Sequence, residues 1–120
     1  MKEIIKIPEI KLDWSKYHTL DKIKEIDIPK SAGVYRVKYN DEIIHIGKAS
    51  SLRRRVKYEF VNGDGENHSA KKRILKEGKI NLKEIEIQWA LTDWPNSVEE
   101  YLHKKFKEEK GKLPKYTKAT

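Results

Sequence analysis

Gly33-Val34-Tyr35, then Ile44-His45-Ile46-Gly47-Lys48, then Ser51-Leu52-Arg53-Arg54-Arg55 carry the chain from two strand-like runs into a helical one. Residues 34–39 and 42–46 are rich in β-branched and aromatic side chains, and Asn40-Asp41 between them is turn chemistry, so the sequence predicts a β-hairpin. Strand side chains alternate, so the loop length decides which of them share a face. A two-residue loop, Asn40-Asp41, puts Tyr35 and His45 on opposite faces. A three-residue loop, Tyr39-Asn40-Asp41, puts Tyr35 opposite His45 and Val37 opposite Ile43, and this is the expected register.

After Gly47 the period changes from two to about 3.6. Leu52, Val56 and Phe60 recur at four-residue steps behind Ser50 and Ser51, both N-cap candidates, and predict a helix. On that wheel Arg54 lies opposite the apolar stripe, whereas Arg55 lies at its edge, best placed to reach a pocket. Residues 62–67, with two glycines among short polar side chains, predict a loop, and a strongly basic helix is expected over 69–77, stopped near Gly78. Residues 84–91 set Ile85, Ile87 and Trp89 against Glu84, Glu86 and Gln88, a half-buried strand expected to join the hairpin's sheet. The last helix opens around 95–97, carries Val98, Tyr101, Leu102 and Phe106 as one stripe, and ends before Gly111 and Pro114. Glu99 borders that stripe and Glu100 points away.

Upstream, residues 1–28 form a lead-in that brings Trp14, Tyr17, Leu20, Ile23 and Ile26 onto the core, with a short helix near 19–26 behind Thr19. The expected fold class is α/β: a small three-stranded, mainly antiparallel sheet flanked by helices, in a single domain whose functional part spans 29–120.

At 120 residues and 37% apolar, the chain can bury a modest core without staples. It has no Cys, which excludes disulfides and thiolate zinc sites and fits a reducing compartment. No apolar run approaches the roughly 20 residues that cross a bilayer, and the N-terminal residues lack a signal-peptide core, so a cytoplasmic protein with no membrane partner is expected. The net charge of +8 favours encounters with polyanions such as nucleic acid, although dense Lys and Glu also occur in proteins built for high temperature.

The order Gly33-Val34-Tyr35, His45-Ile46-Gly47, Arg55 and Glu99 resembles the GIY-YIG nuclease domain family over about residues 29–117. Residues 46–56 are especially similar to the nuclease domain of the family's bacterial excision-repair endonuclease subunit. The resemblance implies metal-dependent hydrolysis of a phosphodiester. In-line attack needs an activated water, a cation facing the scissile phosphate and a group to receive the leaving oxygen. Tyr35 is then the general base or its relay. A phenol ordinarily ionises far above neutral pH, so nearby cations, here Lys48 and Arg55, must favour the phenolate. Arg55 also binds phosphate through its planar fork, and Glu99 holds one Mg²⁺ or Mn²⁺. Gly33, Gly47 and Thr117 complete the structural motif, while Arg53, Arg54, Lys57, Lys71, Lys72 and Arg73 supply a backbone-binding surface.

Each residue also has an ordinary reading. Tyr35 suits any strand, Gly33 and Gly47 suit strand ends, and Arg55 has Glu59 at i,i+4. Asn96 with Glu99, and Ser97 with Glu100, have capping-box spacing. His18, His68 and His103 lack ligand spacing and are expected at the surface. Three positions depart from the family: its second tyrosine is His45, its terminal asparagine is Thr117, and the position four after the arginine is Glu59. An imidazole can serve as base or phosphate contact, and Thr117 offers a hydroxyl in place of an amide, a weaker polar brace.

The sequence therefore leads to an endonuclease on DNA, relevant to DNA repair, with RNA as an alternative substrate. Its selectivity would come from DNA structure or from a partner protein. A degenerate GIY-YIG-like module that binds nucleic acid without cutting is the second reading. A basic scaffold unrelated to nucleic acid is the third.

Overall fold

The computed structural model describes residues 10–61, 83–115 and 117. The expected loop at 62–67 and the basic helix at 69–77, with Lys71, Lys72 and Arg73, lie outside the described residues, as does His68. Among the described residues the architecture is α/β, an antiparallel sheet of four strands with helices on both faces. The strands are β1 (His18–Thr19), β2 (Gly33–Tyr39), β3 (Glu42–Ala49) and β4 (Ile85–Leu91), in the order β1-β4-β2-β3. The fourth strand, β1, adds to the three expected. Its two residues pair His18 with Ile87 and Thr19 with Glu86, too short a run for alternation to reveal.

The hairpin corrects the expected register. Tyr39 faces Glu42 across a two-residue turn in which Asn40 and Asp41 both hold positive φ, 52° and 62°, the backbone of a type I′ turn that follows the strand twist. A bulge then intervenes: Lys38 pairs with Ile43 but Val37 pairs with His45, leaving Ile44 as the extra residue. The bulge shifts the alternation by one, so Tyr35 and His45 share a face as diagonal neighbours despite the short loop.

That face, which also carries Val37, Ile85, Ile87 and Trp89, packs on Leu20, Ile23, Ile28, Leu52 and Val56. Leu20 and Ile23 come from a 3₁₀ helix at Leu20–Glu25, close to the expected short helix. Leu52 and Val56 come from the start of the helical segment after β3, which runs over Arg53–Val61 with the wide i→i+5 pattern of a π-helix rather than the α-helix expected. Ser51 caps it, its Oγ accepting from the Arg54 N–H at 3.4 Å and its carbonyl from the Arg55 N–H at 3.0 Å.

The opposite face, with Val34 and Ala90, packs on Val98 and Leu102 of helix α1 (Pro95–Lys110) and on Leu12 and Trp14. Pro95 stands in the first turn of α1, and Gly111 closes it at φ 80°, its N–H donating to the Lys107 carbonyl at 2.7 Å. Residues 14–17 are stitched to the sheet. Ser15 exchanges backbone and hydroxyl hydrogen bonds with Trp89, its carbonyl accepts from Gln88 at 2.8 Å, and Arg36 bridges Gln88 and the Trp14 ring. Gln88, expected outward, is therefore buried.

Candidate active site

Strand β3 is the edge of the sheet, and the site is built around its middle residues. Tyr35 Oη lies 3.4 Å from His45 Nε2, with ring centroids 5.7 Å apart and planes at 53°. Gly47, paired with Tyr35, makes this approach feasible: a Cβ there would stand 2.5 Å from the phenol's Cζ and Oη. A Cβ on Gly33 would run into the Ala90 carbonyl and Leu52. Both glycines thus have a packing reason beyond ending a strand.

The other nitrogen of His45, Nδ1, lies 3.1 Å from Thr117 Oγ1. The same hydroxyl accepts the Ile46 N–H at 2.9 Å, and the Thr117 N–H donates to the Pro114 carbonyl at 3.0 Å. On the far side of Ile46, its carbonyl accepts from His103 Nε2 at 3.1 Å, so that nitrogen carries the hydrogen. Two outward backbone groups of the edge strand are thereby satisfied by side chains from the C-terminal half. His103 is buried at 8% exposure, which corrects its expected surface position, and His18 stacks on Trp89 at 5.2 Å between centroids. The signal for His103 was its spacing, four residues after Glu99 on the same helix face.

Lys48 and Glu99 form a second group. Lys48 pairs with Val34 and so points to the α1 face, where its Nζ lies 3.8 Å from Glu99 Oε1. The Glu99 side chain is 13% exposed, whereas Glu100 is turned outward to Lys104 at 3.1 Å. The residue capping α1 is Trp94, with no side-chain cap bond, so the capping-box reading of Glu99 and Glu100 does not hold.

Arg55 belongs to a third group on the face of Tyr35. With Ser50, Ser51 and Arg54 it lines a polar pocket of about 150 Å³ at the point where β3 passes into the helix. Its alternative partner Glu59 has no described side chain. The site residues thus divide between the two sheet faces rather than lining one. Arg53 and Lys57 face inward to the lead-in: Arg53 donates to the Ile28 carbonyl at 2.7 Å and pairs with Asp27 at 2.9 Å, and Lys57 donates to the Ile26 carbonyl at 3.1 Å. Arg54 is exposed.

A sheet whose hairpin brings Gly-Val-Tyr against His-Ile-Gly, with an arginine on the next helix and a glutamate on the last, keeps the order of residues that resembles the GIY-YIG family. The relatives agree. The chain is similar to UvrABC system protein C from Bdellovibrio bacteriovorus, 45% identical over 67 residues, which are 55% of this chain and 10% of that protein. It is 50% identical to UvrABC system protein C from Fusobacterium nucleatum over 38 residues, 32% of this chain and 6% of that protein. Only a small share of these relatives' length is matched. Among solved structures, it is similar to the GIY-YIG N-terminal endonuclease domain of UvrC from Thermotoga maritima, a point mutant bound to its catalytic divalent cation. That likeness has a TM-score of 0.49 and 25% identity, covering 82% of this chain and 93% of that one. No protein-family model matches. The resemblance read from the motifs to the excision-repair subunit of the GIY-YIG family is borne out.

Proposed function

We propose that this chain is an endonuclease of the GIY-YIG type that hydrolyses DNA phosphodiesters with one Mg²⁺ or Mn²⁺, guided by DNA structure or by a partner protein. Residues 29–120 would form the catalytic unit and residues 1–28 its packed lead-in. The observation that carries the reading is the hydrogen-bonded set of Tyr35, His45 and Thr117 within a UvrC-like stretch of sequence.

The donor chemistry at Glu99 fits a hard cation. A single carboxylate leaves most of the coordination shell to water, as Mg²⁺ prefers, and among the described residues no three His, Cys, Asp or Glu side chains converge. When bound, the cation would supply Lewis acidity toward the phosphate oxygens. Lys48 would then exchange its contact with Glu99 for the phosphate.

The protein's own residues would manage the proton. Tyr35 passes its phenolic hydrogen to His45 Nε2, and the ring is held for this by Nδ1–H donating to the Thr117 hydroxyl oxygen. The phenolate takes a proton from the attacking water as the new P–O bond forms and the scissile P–O bond breaks, and the proton held by His45 passes through solvent to the departing alkoxide, restoring both side chains. Arg55 grips a non-bridging oxygen pair with its planar fork, and Arg54 binds a neighbouring phosphate. Lys71, Lys72 and Arg73 would extend the backbone contact.

The test is a panel of single-stranded, duplex, flap and branched DNA with Mg²⁺, Mn²⁺ or EDTA, comparing wild type with Tyr35→Phe, Arg55→Ala and Glu99→Ala. Cutting that needs the cation and is lost in all three variants supports the reading. The existing Lys48 contact on Glu99 favours one alternative, a degenerate module that binds nucleic acid only. Binding across the panel with no cutting by wild type would establish that alternative.

A further inference from the structure

Trp94 is 73% exposed and Leu91 53%, two of the three large hydrophobic side chains exposed among the described residues. Neither is needed by the core. A lone exposed leucine calls for no explanation, but an indole of this exposure, on a backbone tied down at the end of the sheet that carries a candidate phosphate site, does. Its backbone is fixed on both sides. The Trp94 N–H donates to Thr92 Oγ1 at 3.1 Å, the Thr92 N–H to the Ala32 carbonyl at 3.1 Å, and the Trp94 carbonyl accepts from Val98 at 3.0 Å.

Register places this indole at the business end of the sheet. Gly33 pairs with both Leu91 and Ala49, so the end of β4 lies across β2 from Lys48, Ala49 and the pocket of Ser50, Ser51, Arg54 and Arg55. Along α1, Trp94 precedes Glu99 by five residues. At about 1.5 Å and 100° per residue that is about 7.5 Å along the helix axis and about 140° round it, so the two side chains flank the start of α1, their axial separation comparable with two nucleotide steps at about 3.4 Å each. The local charge divides the labour: Lys48 and Arg54 attract phosphates, while exposed Asp93, next to Trp94 in the chain, repels them. What fits an aromatic face bordered by an acid is a neutral base, and only an unpaired base offers its π face.

We propose that Trp94 is a stacking platform for an unpaired nucleobase one or two nucleotides from the scissile phosphate, so that the preferred substrates are single-strand junctions, bubbles or flaps. This rests on the nuclease reading above and adds the feature of DNA to which it responds.

The test uses the full chain with Ca²⁺ in place of Mg²⁺ and two fluorescent probes of one sequence, a perfect duplex and the same duplex with a short bubble containing 2-aminopurine. Wild type should bind the bubble more tightly and quench the 2-aminopurine by stacking. Trp94→Ala should lower the bubble-to-duplex affinity ratio by about tenfold and abolish the quench, whereas Trp94→Phe keeps most of both. Far-UV circular dichroism checks that the variants fold. Equal affinity of wild type and Trp94→Ala for the bubble, with no quench in either, would overturn the platform and leave the nuclease reading standing, pointing instead to a protein that covers Leu91 and Trp94. Wild type binding neither probe would sink both.

Discussion

The two faces of the sheet hold their site residues by different means. On the face of Tyr35, contacts among Tyr35, His45, Thr117 and Ile46 at 2.9–3.4 Å fix ring positions at the half-buried edge of the core. On the α1 face, Lys48 and Glu99 are held to one another by an ion pair at 3.8 Å, with Lys48 44% exposed. The first arrangement is built in advance. The second is loose enough to exchange, because partly exposed ion pairs contribute only about 0.2–1 kcal/mol. On the proposed reading the substrate phosphate would lie at the edge strand β3, with proton handling from the rigid face and cation binding from the adaptable one.

Tyr35→Phe is the sharpest way to break this division. It removes the proton and keeps the ring, so cleavage should fall by about 10²–10⁴-fold while thermal stability hardly changes. Comparable cleavage rates for wild type and variant in single-turnover assays would place the base elsewhere. Next in size is the coupling between the two departures from the family, which touch each other at 3.1 Å. His45→Tyr and Thr117→Asn should each lower cleavage, and the double variant should recover activity. A coupling of about 0.5–3 kcal/mol in a double-mutant cycle is expected, and strict additivity would show that the pair does not act as a unit. Gly47→Ala should follow, its methyl pressing on the phenol and costing about 1–3 kcal/mol, read as a lower denaturation midpoint. The smallest effect belongs to the loose face. Lys48→Met should leave stability within about 1 kcal/mol and tighten Mg²⁺ binding a few-fold in calorimetry, about what one exposed pair can withhold. Weaker Mg²⁺ binding would mean that Lys48 orients Glu99 rather than competing for it.

Much of this was legible in the sequence for a physical reason. Leu52 and Val56 announced a buried helix face, Ile85, Ile87 and Trp89 a strand, and the edge position of Arg55 and Glu99 followed from helical spacing. The hairpin register was not legible. A two-residue turn with a bulge at Ile44 and a three-residue loop without one both bring Tyr35 and His45 to one face, and alternation alone cannot separate them. The hidden features are tertiary. Thr117 reaches Ile46 across 71 positions of sequence and His103 across 57, and no local pattern encodes either contact. Trp94 stands immediately ahead of Pro95, where no sequence pattern marks it, and its exposure alone sets it apart.

Ile46 carries one more consequence. It lies on the sheet's edge, where a strand with open N–H and C=O groups is a template for another chain to join. Thr117 occupies its N–H and His103 its carbonyl, so the hydroxyl that steadies His45 is also half of a seal against edge-to-edge aggregation. Loosening the segment around Thr117 would therefore open the edge strand to self-association as well as releasing His45.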